Sequence, residues 1–190
     1  PGCRKVLETC NKAKQKNLSI VSGLCWRYHP SVQATVEQIK SGAIGDIVSI
    51  QENYLAGTLW HRGRKPDWTE MEYQMRNWYY YNWLCGDHIV EQHIHNLDVG
   101  CWIKGGFPVE ANGQGGRGQR MGGDASKSQI FDHTFVEYTF ADGSKMYSQG
   151  RHLRGGWNQV SEFAHGSKGT SRIGHSIMAK GKDTVRFRGG

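Results

Sequence analysis

A short segment between Gly86 and Trp102 carries three histidines and three carboxylates. Its apolar residues recur at helical spacing, which predicts one continuous helix. At 3.6 residues per turn, one face of that helix carries four titratable residues inside an arc of roughly 80°: His88, Glu91, His95 and Asp98. Burying such a stripe costs free energy unless its groups have partners, so the stripe faces water or lines a site.

Three chemical interpretations of this segment remain open. Glu91 and His95, spaced i and i+4, can form an acid/base pair in which the imidazole takes the proton of a substrate hydroxyl, as alcohol oxidation requires. His88, Glu91 and His95 are also zinc ligand types, but their spacing matches neither H-E-x-x-H nor H-x-x-E-H. The third interpretation is that these are structural histidines whose hydrogen bonds are satisfied inside the fold.

A second motif, Gly113 to Gly118, formally satisfies the dinucleotide pattern G-x-G-x-x-G. A dinucleotide fingerprint needs a helix that starts at its third glycine, so that amide groups meet the pyrophosphate. The following residues, 119–123, are not helical material. We therefore interpret the match as accidental and expect residues 113–123 to form an exposed loop.

Composition limits the function classes. The chain of 190 residues has 26 glycines, seven tryptophans and a net charge of +7, which favours a loop-rich, aromatic-rich α+β domain. The basic residues are scattered, so nucleic-acid binding is disfavoured, and no apolar run is long enough to span a membrane. Its five cysteines form no metal-like spacing, and their odd number favours reduced thiols over a disulfide framework.

Patterning predicts the first elements of the fold. A basic amphipathic helix covers residues 3–16, and a short strand covers residues 18–23. A further helix covers residues 31–41, with Ser31 as its N-cap and Gly42 after its end. Residues 47–56 alternate in the manner of a strand.

The later part of the chain is predicted to contain an irregular aromatic segment followed by strands. The stretch 57–84 is crowded with tryptophan and tyrosine, and we expect irregular or short helical walls around a pocket there. Residues 109–112, 134–140, 145–151 and 159–164 are predicted to be mainly antiparallel strands, with a hairpin turn at 141–143.

Read together, these motifs resemble the Gfo/Idh/MocA oxidoreductases, the family of glucose-fructose oxidoreductase and inositol dehydrogenase. The segment from Arg27 to Pro30, a helix, and then Gly42-Ala43-Ile44-Gly45-Asp46 are similar to the family's entry into its C-terminal domain. Glu91, His95 and Asp98 match its helix with an acidic residue, a histidine four later and an aspartate three after that. Residues 108–111 and 166–170 are also similar.

The resemblance implies a particular fold and a particular role. It implies an α+β domain with an open, mainly antiparallel sheet and helices on one face, covering residues 27–190, and preceded in residues 1–26 by the last helix and strand of a Rossmann domain. NAD or NADP, and a catalytic lysine, would belong to the rest of the parent enzyme, so we expect this chain alone to be inactive. A homo-oligomer paired through the sheet is also implied.

By the same resemblance, His95 is the catalytic histidine and Glu91 stands where the family has a substrate-orienting aspartate. The expected substrate is a sugar or cyclitol, bound with help from a group of aromatic, imidazole and guanidinium side chains: His88, His93, Arg27, Trp60, His61 and Trp83. Two alternatives remain, a metal-dependent sugar lyase or hydrolase and a non-catalytic oligomerisation module. The cellular compartment stays undetermined.

Overall fold

An open mixed sheet is the framework of the computed structural model, which describes residues 2–118 and 128–187. Within these residues the sheet has eight strands in the order β2-β3-β4-β1-β5-β6-β7-β8. In chain order they are Ile47–Ala56 (β1), Glu110–Gly116 (β2), His133–Thr139 (β3), Lys145–His152 (β4), Gln159–Gly166 (β5), Gly169–Arg172 (β6), Ser176–Ala179 (β7) and Val185–Arg186 (β8). The helices are Gly2–Gln15 (α1), Pro30–Lys40 (α2), Glu70–Arg76 (α3), Asn82–Cys85 (α4), His88–Glu91 (α5) and Ile94–Lys104 (α6), with 3₁₀ turns at Cys25–Tyr28 and Trp78–Tyr80.

Strand β1 is central and defines the topology. It runs parallel to β4 and antiparallel to β5, and the other neighbouring pairs are antiparallel. The hairpin predicted at 141–143 joins β3 to β4, with Gly143 at φ 83°. The predicted α+β class and the open, mainly antiparallel sheet are therefore confirmed.

Helices α2 and α6 pack on one face of this sheet because the strand side chains on that face are apolar near its centre. Ile50 of β1, Met146 of β4 and Ala164 of β5 are at most 1% exposed and form one cluster with Val36 of α2 and Val99 of α6. Burial of apolar side chains is the main favourable contribution to folding. This cluster therefore fixes α6, and with it the histidine-rich segment, on the sheet.

The aromatic segment 57–84 contributes most of a second hydrophobic cluster. Tyr73, Tyr79, Tyr80 and Tyr81 are each at most 4% exposed and pack with Ile130. Large aromatic side chains bury much apolar area. Its tyrosines therefore stabilise the domain; the predicted short helical and irregular structure is confirmed, and the predicted pocket beside it stays a prediction.

Three local predictions were wrong. Residues 18–23 form no strand, since no strand of the described chain pairs with them. His29, not Ser31, is the N-cap of α2, because Pro30 occupies the first helical turn. Residues 113–116, expected in a loop, lie in the edge strand β2; residues 117–118 are irregular and exposed as predicted, and 119–123 lie outside the described residues.

Other predictions hold. Helix α1 forms as expected, although none of its residues is buried, and β1 has the predicted bounds. All five cysteines are free thiols. In the part of the chain that the structure describes, no helix combines the length and apolarity that crossing a membrane requires.

Candidate functional site

The histidine-rich segment begins at a strained residue. Asp87 has φ 93°, a backbone conformation that costs free energy for any residue with a side chain. Its carboxylate accepts hydrogen bonds from the backbone N–H of His88 at 2.6 Å and of Phe131 at 3.1 Å. These bonds offset the strain and fix the start of α5 against the chain that enters β3.

The predicted single helix is broken in the middle. Helix α5 ends at Glu91 and α6 begins at Ile94. Across the break, the backbone N–H of His93 donates to the carbonyl oxygen of His88, and the backbone N–H of His95 donates to the carbonyl oxygen of Gln92. These are i→i−5 and i→i−3 bonds, so the α-helical spacing is lost between Glu91 and His95. The predicted common stripe of four titratable groups is therefore wrong.

Instead, two of the histidines turn into the domain. His88 is 2% exposed and His93 is fully buried; their rings stack at a centroid distance of 6.0 Å and an angle of 9°. A third ring, His152 from the end of β4, meets His88 edge-on at 4.4 Å, and Tyr54 of β1 lies 5.6 Å from both His88 and His152. We call His88, His93, His152 and Tyr54 the imidazole cluster.

Hydrogen bonds define how these rings are used. Nδ1 of His152 donates to the carbonyl oxygen of Gly57 at 3.0 Å, and Nε2 of His93 shares a hydrogen bond of 2.7 Å with the hydroxyl of Ser148. Burial lowers the pKa of His88 to about 3 and that of His93 to about 4; the neighbouring imidazoles lower the pKa of His88 further. Desolvation disfavours the charged imidazolium, so both rings are neutral at pH 7.

Glu91 lies at the end of α5, next to this cluster. It is partly exposed, although its Oε2 is buried. Burial, and then the nearby Glu91 carboxylate, raises the pKa of Tyr79 and that of Tyr54. The Tyr79 hydroxyl hydrogen-bonds to this carboxylate, and the part of the Glu91 side chain that remains exposed is able to accept a hydrogen bond from a ligand hydroxyl.

His95 lies in the first turn of α6 and is partly exposed. Its Nδ1 lies 3.9 Å from Sγ of Cys25. One turn later, Asp98 accepts two hydrogen bonds from Arg27, from Nε at 2.7 Å and from Nη2 at 2.9 Å. This paired geometry is among the stronger ion pairs, so it ties the segment that carries Cys25 to the helix that carries His95.

The predicted substrate ligands are therefore dispersed. His88 and His93 are packed against the sheet, and the guanidinium of Arg27 is committed to Asp98, with its Cζ 5.0 Å above the ring of Trp102. In the structure, burial and existing partners occupy His88 and His93, and Asp98 and Trp102 occupy Arg27; a substrate-binding role for these three residues stays a prediction.

The remaining predicted ligands lie in the aromatic segment. Nε2 of His61 shares a hydrogen bond of 2.8 Å with the hydroxyl of Tyr73, and Trp60 packs against Trp78 at 5.9 Å. The indole N–H of Trp83 donates to Gln74 at 2.9 Å. Since these contacts join residues of one segment to one another, the structure gives Trp60, His61 and Trp83 no defined place beside Glu91 and His95.

The sequence gives almost no signal for two carboxylates that the sheet brings together, one buried and one partly buried. Glu52 of β1 is fully buried directly opposite Glu162 of β5. Asn96 of α6 donates to Oε1 of Glu162 at 2.7 Å. Burial raises the pKa of Glu162 to about 7 and, together with repulsion from Glu162, raises the pKa of Glu52 well above its ordinary value. Their only sequence signal is an acidic residue in a strand on the face that the helix covers.

A metal centre is not assembled by these groups. Among residues 2–118 and 128–187, no three histidine, cysteine, aspartate or glutamate side chains lie together in a way that could hold a metal ion. The zinc site considered for His88, Glu91 and His95 would require them on one helix face, and the break in the helix separates them.

Comparison with known proteins agrees with this architecture. No family model matches the sequence. A curated relative from Streptococcus pneumoniae serotype 4, described as an uncharacterized oxidoreductase, is 25% identical over 174 residues, which are 90% of this chain and 41% of the relative.

Solved structures give the fold. Myo-inositol 2-dehydrogenase from Lactobacillus plantarum superposes with a TM-score of 0.62 at 24% identity, over 90% of this chain and 48% of that one. Levoglucosan dehydrogenase, in complex with NADH and levoglucosan, superposes with a TM-score of 0.71 at 18% identity, over 93% of this chain and 49% of that one. The chain has the fold of the Gfo/Idh/MocA oxidoreductases. It spans about half the length of these Gfo/Idh/MocA structures.

Proposed function

We propose that this chain is the substrate-binding part of an NAD(P)-dependent oxidoreductase that acts on a hydroxyl or carbonyl group of a sugar or cyclitol. The fold supports this proposal, as do the curated oxidoreductase relative and the levoglucosan and NADH that one structural neighbour carries. The observation that carries it is the helix break, which places the partly exposed Glu91 carboxylate and the partly exposed His95 imidazole at adjoining helix ends.

In this proposal the two residues act separately. His95 takes the proton from the substrate hydroxyl during oxidation, because an imidazole is a good base near neutral pH. Glu91 orients the substrate by accepting a hydrogen bond from a neighbouring hydroxyl. Because the helix is interrupted between them, we do not expect the i, i+4 hydrogen bond that a continuous helix would allow.

The cofactor belongs to the parent protein in this proposal. Gly113, Gly115 and Gly116 lie in an extended edge strand paired with β3 and not in the tight strand-to-helix turn that a dinucleotide fingerprint requires, so these described residues do not fit a pyrophosphate. We propose that a Rossmann domain, to which residues 1–26 contribute, binds NAD or NADP, which supplies the hydride acceptor. The homo-oligomer implied by the resemblance stays a prediction.

Kinetics of the full-length parent protein test the assignment. We expect His95→Asn to lower kcat/KM by about 100-fold or more, since removal of a general base typically has an effect of that size. Glu91→Gln should mainly raise KM. The assay measures NAD(P)H formation with a panel of monosaccharides and cyclitols.

The matched control is His165→Asn, a substitution in β5 that should leave kcat/KM within a factor of about two. Full activity of the His95→Asn protein would contradict the site and favour a non-catalytic role for this domain. Failure of the wild-type parent to oxidise or reduce any sugar or cyclitol with either nicotinamide cofactor would contradict the function itself.

A further inference from the structure

The imidazole of His95 has one side-chain partner in the part of the chain that the structure describes. Its Nδ1 lies 3.9 Å from Sγ of Cys25, within the longer reach of a hydrogen bond to sulfur. The other ring nitrogen, Nε2, makes no hydrogen bond to a described residue. Nε2 is therefore the nitrogen that is free to meet a substrate, and Nδ1 is the nitrogen that the protein holds.

The groups that usually hold such a ring are not bonded to Nδ1. A histidine that acts as a base commonly has its other ring nitrogen bonded to a carboxylate or a backbone carbonyl, which fixes the tautomer. Asp98, one turn after His95, has both carboxylate oxygens bonded to Arg27. Glu91 belongs to the preceding helix, before the break. The sulfur of Cys25 therefore stands where a carboxylate is ordinarily found.

Cys25 begins a 3₁₀ turn whose next two residues are anchored on the domain. The side chain of Trp26 is partly buried and packs against the main hydrophobic core. Arg27 is bound to α6 through Asp98, and its carbonyl oxygen accepts a hydrogen bond from Gln33 of α2 at 2.8 Å. The thiol itself is exposed, but the fixed turn holds the sulfur beside the ring.

The direction of this hydrogen bond decides whether His95 is able to act as a base. A neutral imidazole has one N–H donor and one acceptor nitrogen. If the thiol donated to Nδ1, the ring proton would be on Nε2, which could then take no proton from a substrate. If Nδ1–H donates to sulfur, a weak acceptor, Nε2 keeps the lone pair that general base catalysis requires.

We propose that Cys25 is a positioning residue for His95: its sulfur accepts the hydrogen bond of Nδ1–H and fixes the tautomer in which Nε2 is the proton acceptor. The sulfur acts through the imidazole and touches neither substrate nor cofactor. The inference rests on the proposed function insofar as His95 is the base of that reaction. It identifies the group that orients this base.

NMR of the full-length parent protein, with ¹⁵N-labelled histidine, tests the tautomer at pH 8, where an ordinary imidazole is neutral. The ring signals of His95 are identified by their loss in His95→Asn. We expect the wild-type ring to carry its proton on Nδ1, and Cys25→Ala to shift the population toward the Nε2–H tautomer. A wild-type proton on Nε2, or identical ring signals in Cys25→Ala, would overturn the inference.

Steady-state kinetics of the same protein give a second measurement. Cys25→Ala should lower kcat by about fivefold, the effect of losing one hydrogen bond, and should leave KM within a factor of about two. Cys25→Ser keeps an acceptor atom at this position and should recover at least about half of the wild-type kcat. An unchanged kcat in Cys25→Ala, or equal kcat values for the serine and alanine variants, would contradict a positioning role.

The matched control is Cys101→Ala, which removes a thiol from α6 that has no hydrogen bond to the His95 ring among the described residues. Its ring signals and kcat should equal those of the wild type. Thermal unfolding verifies that each variant is folded, which separates positioning from a purely structural loss. If Cys25→Ala fails to fold, the wild-type tautomer and the kcat of Cys25→Ser decide the question.

This outcome is separable from that of the proposed function. If turnover depends on His95 but neither the ring signals nor kcat respond to Cys25→Ala, the positioning role fails and the oxidoreductase proposal stands. If the Nδ1–H tautomer depends on Cys25 but the wild-type parent turns over no sugar or cyclitol, the contact between sulfur and imidazole stands and the oxidoreductase proposal fails.

Discussion

Neutral, buried imidazoles are the most distinctive residues of this domain. In the imidazole cluster, His88 and His93 pack as aromatic rings that retain a polar edge, and each has one buried ring nitrogen without a partner in the described chain. Such groups are costly unless the surrounding packing fixes them. His88 begins α5 and His93 lies between α5 and α6, so their packing fixes the segment that positions Glu91 and His95.

Gly150 of β4 makes room for this cluster. A Cβ atom at this position would lie 2.7 Å from Cε1 of His88 and 2.7 Å from Oγ1 of Thr134. We expect Gly150→Ala to lower the free energy of unfolding by about 1–3 kcal/mol, the usual cost of overpacking a core, measured by urea denaturation. In a His88→Ala background the same substitution should cost less.

Gly116→Ala is the control for that experiment, because among the described residues its Cβ would meet only the half-exposed His133 ring, at 3.4 Å. Equal stability of Gly150→Ala and wild type would show that the His88 ring does not rest on β4. An undiminished cost in the His88→Ala background would assign the clash to Thr134 alone.

At the scale of elements, the helix break decides what could be predicted. Nothing between Glu91 and His95 is proline or glycine, and the apolar pattern runs through it, so the sequence predicts one helix. At the break, the imidazole of His93 is hydrogen-bonded to Ser148 of β4, a contact between a helix and a strand. A contact between residues so distant in the chain leaves no periodic signal.

Strands were predictable where they alternate or are followed by a hairpin turn. The predicted bounds of strand β1 agree with the structure at both ends, and those of β3, β4 and β5 agree to within two residues, because each strand has a regular pattern. Strands β6, β7 and β8 were missed, since they are short, rich in small and polar residues, and form by pairing outward from β5. Context outweighs intrinsic preference in such strands.

The same distinction applies to the site. Glu91, His95 and Asp98 are identifiable because they lie in a motif that resembles a family. His152, Glu52 and Glu162 are single polar residues in strands, and their burial depends on a helix that packs over them. The sequence does not reveal which face of β1 lies beneath α6 until the sheet is assembled.

Close packing of α6 on the sheet can be tested at Gly100. A Cβ atom there would lie 2.5 Å from Sδ of Met146 and 2.7 Å from Oε1 of Glu52. Alanine favours helix formation over glycine by about 1 kcal/mol, yet we expect Gly100→Ala to destabilise the protein by about 1–3 kcal/mol, because the helix must move away from β1. Chemical denaturation measures the difference.

Gln38→Ala, on the exposed side of α2, is the control for helix preference alone and should change stability by less than about 0.5 kcal/mol. A stabilised Gly100→Ala protein would mean that α6 does not approach the sheet this closely.

At the scale of the whole molecule, a polar row crosses the sheet beneath α6. Ser148 of β4, Glu52 of β1 and Glu162 of β5 stand side by side in register. His93 bonds to one end of the row and Asn96 to the other. Helix α6 is therefore positioned by hydrogen bonds at two points as well as by apolar packing, which gives it one defined placement on the sheet.

Glu52, at the centre of this row, makes the stability of the domain depend on pH. Both of its carboxyl oxygens are buried without a hydrogen-bond partner in the described chain, and its raised pKa means that the folded protein keeps it protonated where the unfolded chain, with the ordinary value of 4.5, does not. The folded state then binds more protons, so stability falls as pH rises above about 4.5. The raised pKa of Glu162 changes stability in the same direction, and its contribution is lost as pH rises to its pKa of about 7.

Glu52→Gln removes this contribution because it keeps the shape and cannot ionise. We expect the free energy of unfolding of the variant, relative to wild type, to rise between pH 5 and pH 8 by at least about 1 kcal/mol, the equivalent of roughly one pKa unit. The buried histidines act with the opposite sign, since their lowered pKa values reduce stability as pH falls below 6.5, but they are common to both proteins and cancel in the difference.

Urea denaturation at several pH values measures this difference in the free energy of unfolding, with the exposed Glu110→Gln as the control whose difference from wild type stays constant. Parallel pH profiles for Glu52→Gln and wild type would show that Glu52 is not buried beneath α6.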